Sequence, residues 1–174
     1  MVATGSHSFK IENLRVDKNR SFQIDPNQTT INTKLYQYPF LQLAEATLAA
    51  NLMGMAIHFI DAAEEVIDQR TALHKFTDSQ KNLLAEKCHH IKADIQDVRT
   101  NFYRAVNTSW LESNPEALLW VSFTSRQLAK VARNAVDTLY PYCGLQAASP
   151  DTEINRVWRD IHTASQHSLL VFES

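Results

Sequence analysis

The sequence predicts an all-α protein, an up-down four-helix bundle preceded by a short β segment. The 174 residues include only three glycines and five prolines, too few for the turns of a barrel, a sandwich or a series of β/α units. Hydrophobic residues make up 44% and charged residues 21% of the chain, as expected for a globular core. From Pro39 onward, apolar residues recur with the period of an amphipathic helix.

The chain before residue 35 has a different pattern. Short period-two runs, such as Phe9 with Ile11 and Phe22 with Ile24, predict one or two strands. One or two strands do not form a stable sheet. We therefore expect residues 1–35 to be a remnant of β-domain strands with a linker, and residues 36–174 to form a helical bundle domain.

Four apolar stripes predict the four helices of the bundle. The second helix begins at a capping box formed by Thr77 and Gln80, and the third begins where Asn114 precedes Pro115. The fourth begins after Ser149-Pro150-Asp151. In chain order, the stripes run from Leu41 to Val66, from Leu84 to Val106, from Leu118 to Leu139, and from Ile154 to Ser168.

Charge and apolar-run length argue against several classes of partner. A formal charge of −2 leaves no excess of Lys and Arg to neutralise phosphates, so we expect neither nucleic-acid nor anionic-membrane binding. The longest weakly polar stretch, Thr47–Ile60, is shorter than the roughly twenty residues of a membrane span. Cys88 and Cys143 show neither metal-site nor disulfide-framework spacing, which predicts buried free thiols in a cytoplasmic protein.

Two familiar catalytic sites are not supported by the sequence. A bundle di-iron site needs two Glu-x-x-His pairs, and the chain has only one, Glu86 with His89. Asp160, His167 and Ser168 have the residue types of a hydrolase triad, but no strand-turn-helix elbow precedes the serine. The last helix is instead rich in hydrogen-bonding groups, and His167 follows a run of small residues. These features are typical of a helix that lines a cavity.

Several segments carry a resemblance to one family. The ending VWRDIHTASQHSLL, with the Cys143-Gly144-Leu145 turn and Ser149-Pro150 before it, resembles the C-terminus of the acyl-CoA dehydrogenase superfamily. It is most similar to the branch of flavin-dependent monooxygenases that work with a separate flavin reductase. The opening TGSHSFKIENLRV resembles the last strands of that superfamily's middle β-domain, and LAANLMGMAIHFIDAAEEVIDQR resembles the first bundle helix. The resemblance covers the whole chain but only the C-terminal part of the family.

The resemblance implies three cofactor-binding residues. In the dehydrogenases, an Arg sixteen positions after a Gly of the first bundle helix contacts the FAD phosphates, and counting from Gly54 gives Arg70. Arg suits this role because it donates in a fixed bidentate geometry. Gly144 stands at the family's double glycine, and Arg159 is the third candidate. The implied cofactor is FAD or FMN, used as reduced flavin and not retained by this chain alone.

The implied catalytic residue is His167. Many dehydrogenases of the family place a Glu base eight residues after the aspartate matched by Asp160, where this chain has Ser168. The monooxygenase branch has a His close to this point, which His167 matches. It would take the substrate's phenolic proton or supply a proton during the oxygen reaction of the flavin. Arg159 and Asp160 are expected to act mainly as a structural pair that orients the helix.

The resemblance also implies partners and a function. It predicts a homotetramer, a flavin reductase as partner, and a small-molecule substrate. The favoured function is the C-terminal domain of a reduced-flavin-dependent monooxygenase, inactive as an isolated chain. The alternatives are an acyl-CoA dehydrogenase proper and a non-catalytic helical module for oligomerisation or partner binding.

Overall fold

The structure is a computed structural model that describes residues 7–172. The chain divides into two compact units, one that ends at Phe40 and one that begins at Leu41. The first unit contains two short 3₁₀ turns, Lys18–Arg20 and Pro26–Gln28, and the short helix α1, Lys34–Gln37.

The predicted β segment is not found in the described part of residues 1–35, which begins at His7. No strand is assigned there. Each 3₁₀ turn is capped by an aspartate, since Asp17 accepts a hydrogen bond from the Asn19 N–H and Asp25 from the Asn27 N–H, both at 2.9 Å. The residues at the turn boundaries are extended but pair with no second strand, and an extended segment without a partner has no ladder of hydrogen bonds.

The apolar residues that suggested strands are exposed in the first unit. Phe9 and Phe22 are 85% and 86% exposed, and Ile11 and Ile24 are 60% and 63% exposed. Their alternation therefore corresponds to no buried sheet face within the described residues.

The second unit contains the long helices. The caps predicted for α3 and α4 are confirmed: Thr77 and Gln80 form the capping box, and Asn114 accepts a hydrogen bond from the Ala117 N–H at 2.8 Å. Two short helices lie near the C-terminal end. In chain order the helices are α2 Phe40–Ala72, α3 Asp78–Glu112, α4 Pro115–Leu139, α5 Leu145–Ala148, α6 Glu153–Ala164 and α7 Ser168–Val171.

Contacts between side chains show how the helices are arranged. Lys92 of α3 donates to Glu64 of α2 at 2.6 Å, and near the other end of α3 the chain turns into α4 through Ser113 and Asn114. His162 of α6 contacts Asp137 of α4 at 2.7 Å. A common core joins these helices, so the predicted helical bundle is confirmed.

The predicted stripes of α3 and α4 match the core, and that of α2 matches it in part, since Leu52, Phe59 and Val66 are buried. Leu84, Ile95 and Phe102 are buried on α3, as the sequence predicted. On α2, by contrast, Leu41 is exposed whereas Gln42 is buried. Helix α2 contacts more than one neighbour and buries several faces, so a single stripe does not describe it. Its buried residues are Gln42, Glu45, Ala49, Leu52, Met53, Ala56, Phe59, Ile60, Ala63, Val66 and Ile67.

By length and composition alone, α2 could cross a membrane. An 18-residue window within it has a mean hydropathy of 1.4, so its apolar stretch is longer than the sequence analysis estimated. Part of that window, 39%, is buried inside the protein, and its apolar side chains belong to the common core.

A buried ion pair joins α2 to α4. Glu45 is 1% exposed, and its Oε1 accepts a hydrogen bond from Arg126 Nη1 at 2.8 Å. Its Oε2 accepts a hydrogen bond from the Ser122 hydroxyl, whose oxygen in turn accepts one from Gln42 Nε2 at 3.1 Å. Both carboxylate oxygens are thus satisfied, as the burial of a charge requires.

We expect Glu45→Ala to lower the free energy of unfolding by about 3 kcal/mol, because it leaves the mostly buried Arg126 guanidinium without its partner. Urea unfolding measures this as a lower midpoint at unchanged slope. The matched control is Glu65→Ala, an exposed carboxylate on the same helix, with an expected change within about 0.5 kcal/mol. Replacing both Glu45 and Arg126 by Met should recover most of the loss. Equal effects of Glu45→Ala and Glu65→Ala would contradict the structure.

Candidate functional site

The connection between α4 and α6 carries Gly144 and is fixed by hydrogen bonds. A 3₁₀ turn, Tyr140–Cys143, precedes Gly144, and α5 follows it. Asn155, buried at the start of α6, donates to the Ala147 carbonyl at 2.7 Å, and the Tyr140 hydroxyl donates to the same carbonyl at 3.4 Å. Hydrogen bonds therefore fix the conformation of this connection.

Arg70 and Gly144, two of the predicted cofactor-binding residues, are in direct contact. Gly144 has φ +69° and ψ −167°, a backbone conformation adopted essentially only by glycine. A Cβ on Gly144 would lie 1.5 Å from Arg70 Nη1 and 2.8 Å from Arg70 Cζ. The glycine is thus required twice, for its backbone conformation and for the space that the guanidinium occupies.

Arg70 retains hydrogen-bonding capacity at this contact. Its guanidinium lies over the Phe76 ring, with 5.0 Å from Cζ to the ring centroid. Its Nε is buried and has no hydrogen-bond partner among the described residues. A buried hydrogen-bond donor without a partner lowers the stability of the folded protein. An anion beside this guanidinium would satisfy donors that the described part of the chain leaves open.

The neighbouring thiol of Cys143 is fully buried. Burial raises its pKa to about 11, and the nearby Arg70 guanidinium opposes part of that rise. Burial also raises the pKa of the Cys88 thiol. Both cysteines are free, as predicted, and neither thiol is activated as a nucleophile, because activation requires a lowered pKa.

Arg159, the third predicted cofactor-binding residue, is not at this site. It is exposed on α6, and its Nη2 donates to the Pro150 carbonyl at 3.4 Å. The expected structural pair with Asp160 is also wrong, since Asp160 pairs with Arg156 at 3.3 Å. Adjacent helical residues point about 100° apart, whereas residues four apart share a face, so Asp160 contacts Arg156.

His167 lies beyond the fourth helix rather than on it. Helix α6 ends at Ala164, and Ser165 and Gln166 form a turn whose N–H groups donate to carbonyls of the last helical turn. His167 is exposed and caps the short α7, where its Nδ1 accepts a hydrogen bond from the Leu169 N–H at 3.3 Å. A cleft against α4 is lined by Ser165, which follows α6, but His167 is not among its lining residues.

His162 is an interacting residue that the sequence analysis missed. Its Nε2 is 2.7 Å from Asp137 Oδ1, and its Nδ1 is 2.6 Å from the Trp158 carbonyl oxygen. Its ring lies 4.2 Å from the Trp158 ring, which in turn stacks on Tyr140 at 4.9 Å. The signal in the sequence was the spacing of Trp158 and His162, which places them on one helix face.

No group of three or more His, Cys, Asp or Glu side chains within residues 7–172 is placed to hold a metal ion. Glu86, His89 and His90 are exposed on α3.

Comparison with known proteins identifies the family. The sequence profile described as "Acyl-CoA dehydrogenase, C-terminal domain" matches residues 46–172. The chain belongs to this family. A curated relative, the pigment production hydroxylase of Rhodococcus erythropolis, is 33% identical over 87 residues, which cover 45% of this chain and 22% of that protein.

Two solved structures share the fold of this acyl-CoA dehydrogenase C-terminal domain. The 3-HSA hydroxylase from Rhodococcus sp. RHA1 superimposes with a TM-score of 0.71 at 20% identity, over 80% of this chain and 38% of that one. The HsaA monooxygenase from M. tuberculosis gives a TM-score of 0.72 at 20% identity, over 82% of this chain and 38% of that one. The chain thus spans well under half the length of these relatives.

The two glycines of the bundle should respond in opposite ways to alanine. Gly144→Ala should cost about 1–3 kcal/mol because of its backbone conformation, with a further cost from the displaced guanidinium. Gly54→Ala should gain about 0.5–1 kcal/mol, since Gly54 lies inside α2 and an added Cβ meets nothing within 4 Å. Thermal unfolding measures both. Adding Arg70→Ala to Gly144→Ala should remove the clash but not the backbone cost. Melting temperatures of Gly144→Ala and Gly54→Ala that shift in the same direction would contradict this geometry.

Both cysteines should resist alkylation in the folded protein at neutral pH. The reactive species is the thiolate, and burial with a raised pKa makes that form scarce. Maleimide labelling followed by mass spectrometry should find no adduct in native protein and two in urea. The labelling rate of Cys143 should keep increasing with pH up to about 11. Cys88→Ser isolates the Cys143 signal, and rapid native labelling of that variant would contradict the burial.

Proposed function

We propose that this chain is the C-terminal domain of a monooxygenase that uses reduced flavin. The observation that carries the proposal is the C-terminal turn, where Ser168 stands at the position of the dehydrogenase Glu base and an exposed His167 precedes it. A serine hydroxyl is not a base at neutral pH, so this position has no general base that could remove the proton of an acyl thioester. The hydroxylase and monooxygenase relatives support the same branch.

The residues around Arg70 fit a flavin. The guanidinium offers donors to a phosphate or pyrophosphate group, one of them buried and unsatisfied within the described residues, and Gly144 leaves room for it. These features suit FMN and FAD equally. When bound, the reduced flavin supplies the electrons that activate molecular oxygen for insertion into the substrate.

The hydrogen bond at His167 fixes which ring nitrogen carries the proton of the neutral imidazole. Because Nδ1 accepts the Leu169 N–H, the neutral ring carries its proton on Nε2. That nitrogen has no partner among the described residues and is exposed, so it is free to donate. In this geometry the neutral His167 ring presents a hydrogen-bond donor outward. Supplying a proton and taking a phenolic proton both pass through the imidazolium, whose Nδ1–H could no longer accept the Leu169 bond.

Exposed apolar residues near the α3–α4 corner support a homo-oligomer. Leu111 and Leu119 are 68% and 66% exposed. Large apolar side chains exposed on both helices beside this corner favour a protein interface. We propose a tetramer, served by a separate flavin reductase and acting on a small-molecule substrate. The two free cysteines support a cytoplasmic location.

The proposal is tested by comparing the 174-residue chain with a version extended by the coding sequence upstream of it. With externally reduced FMN or FAD, the extended protein should hydroxylate a phenol in an oxygen-dependent reaction, and the short chain should not. Acceptor-dependent acyl-CoA oxidation by the extended protein would instead establish a dehydrogenase. If the extended protein shows no flavin binding and no turnover, the result would favour the non-catalytic module.

In the extended protein, His167→Ala should lower turnover by about 10²–10⁴-fold, the usual scale for a group that handles a proton. Ser168→Ala is the matched control on the neighbouring residue and should cost far less. Both positions are exposed, so the melting temperature should change little in either variant. Full activity of His167→Ala would refute the catalytic role of this residue.

The assembly is measured by light scattering on the chain itself. A tetrameric mass is expected, because the exposed apolar face of α3 and α4 would be covered by other copies. Replacing Leu111 and Leu119 by Gln should lower the mass without unfolding the chain. A monomeric mass for the unmodified chain would contradict the proposed oligomer.

A further inference from the structure

A cleft of about 360 Å³ lies between α4 and the C-terminal segment. Three cationic side chains of α4 line it: Arg126, Lys130 and Arg133. Their spacing of four and three residues places them on one face of the helix. No carboxylate is among the described residues that line this cleft. Positive charge is thus concentrated there in a chain whose formal charge is −2.

The three cations differ in how far their charge is already balanced. Arg126 is held by the buried Glu45, which fixes its position in the wall. Arg133 has only a long ion pair with Asp137, at 3.7 Å between half-exposed groups, and Asp137 also contacts His162. Lys130 makes no hydrogen bond or ion pair with any described residue. The cleft therefore keeps an excess of positive charge that an anion would balance.

The remaining walls combine two polar residues, Gln127 and Ser165, with apolar ones. Phe123 lines the cleft from α4, and Leu170 and Val171 line it from α7. Leu170 is buried, but Phe123 and Val171 are 56% and 54% exposed. Inorganic phosphate would make no use of such walls, whereas a ligand with an apolar body would cover both exposed side chains.

We propose that this cleft binds a small organic anion. Lys130 and Arg133 hold its carboxylate, and its apolar body lies against Phe123 and Val171. A volume of about 360 Å³ falls within the usual range for small-molecule sites. Arg70 and Gly144 do not line the cleft, so the site is separate from the candidate flavin contact. The inference concerns binding only and does not depend on the proposed monooxygenase activity.

The test titrates the 174-residue chain with 2-naphthoate and its neutral isostere 2-naphthamide, with amide chemical shifts followed by NMR. We expect 2-naphthoate to bind about tenfold more tightly or better, because only the carboxylate can accept charge-assisted hydrogen bonds. The largest shifts should fall on Lys130, Arg133 and Val171. Inorganic phosphate should bind more weakly than 2-naphthoate, since it leaves the apolar walls uncovered.

A charge-matched pair of double variants locates the site. Lys130→Gln with Arg133→Gln should weaken 2-naphthoate binding about tenfold or more and leave 2-naphthamide unaffected. Arg99→Gln with Arg104→Gln changes the net charge equally on exposed positions of α3 and should leave binding unchanged.

Three outcomes would overturn the proposal. The first is equal affinity for 2-naphthoate and 2-naphthamide, which shows that the cations play no part. The second is equal affinity for phosphate and 2-naphthoate, which shows that the apolar walls play none. The third is an equal change in 2-naphthoate affinity in the two double variants, which would show that binding depends on net charge alone. The first two comparisons use the unmodified chain and do not depend on the folding of any variant.

Discussion

The register between α2 and α4 is fixed by the buried contact of Glu45 with Arg126 and Ser122. A carboxylate removed from water is stable only where its donors meet it, so α2 and α4 cannot slide past each other without exposing an unpaired charge. The common apolar core would tolerate a shift of one helical turn far better, because apolar contacts are not directional. The ion pair thus supplies specificity that apolar packing alone lacks.

That register has a consequence at the far end of α2. Arg70 lies 25 residues after Glu45, a distance of roughly 37 Å along a straight helix. It meets Gly144, which follows the C-terminal end of α4. Since helices of this length bend little, the Glu45–Arg126 contact at one end and the Arg70–Gly144 contact at the other must be satisfied together. The position of the Arg70 guanidinium is therefore set by packing along the whole of α2.

Local signals in the sequence were sufficient where one residue decides the structure. The Thr77 and Asn114 caps and the stripes of α3 and α4 were predictable, because a cap or a one-sided stripe needs no knowledge of distant residues. The family resemblance indicated Arg70 and Gly144 as separate cofactor-binding candidates, but not that they contact each other. Which residues pair across helices could not be predicted: Glu45 interrupts an apolar stripe and looks like a gap in it, and nothing local indicates that Arg126 lies opposite.

The errors have the same origin. The period-two runs around Phe9 and Phe22 have the composition of strands, but a strand depends on a neighbour that the local pattern does not specify. The end of α6 at Ala164 depends on the Ser165 and Gln166 turn, which competes with a helix whose pattern would otherwise continue to Ser168.

Net charge, a property of the whole chain, conceals how its charges are distributed. A formal charge of −2 argues against a phosphate-backbone partner, which needs many cations over a broad surface. It does not argue against a small anion, for which two or three donors in one place are enough. Within the described residues, donors are grouped in this way where Arg70 lies beside Gly144 and where Lys130 and Arg133 line the cleft. In each, a helix presents cations whose balancing carboxylates are absent or distant among the described residues. Packing fixes one cation in each place: Gly144 leaves the space that the Arg70 guanidinium occupies, and Glu45 holds Arg126 in the cleft wall that Lys130 and Arg133 also line.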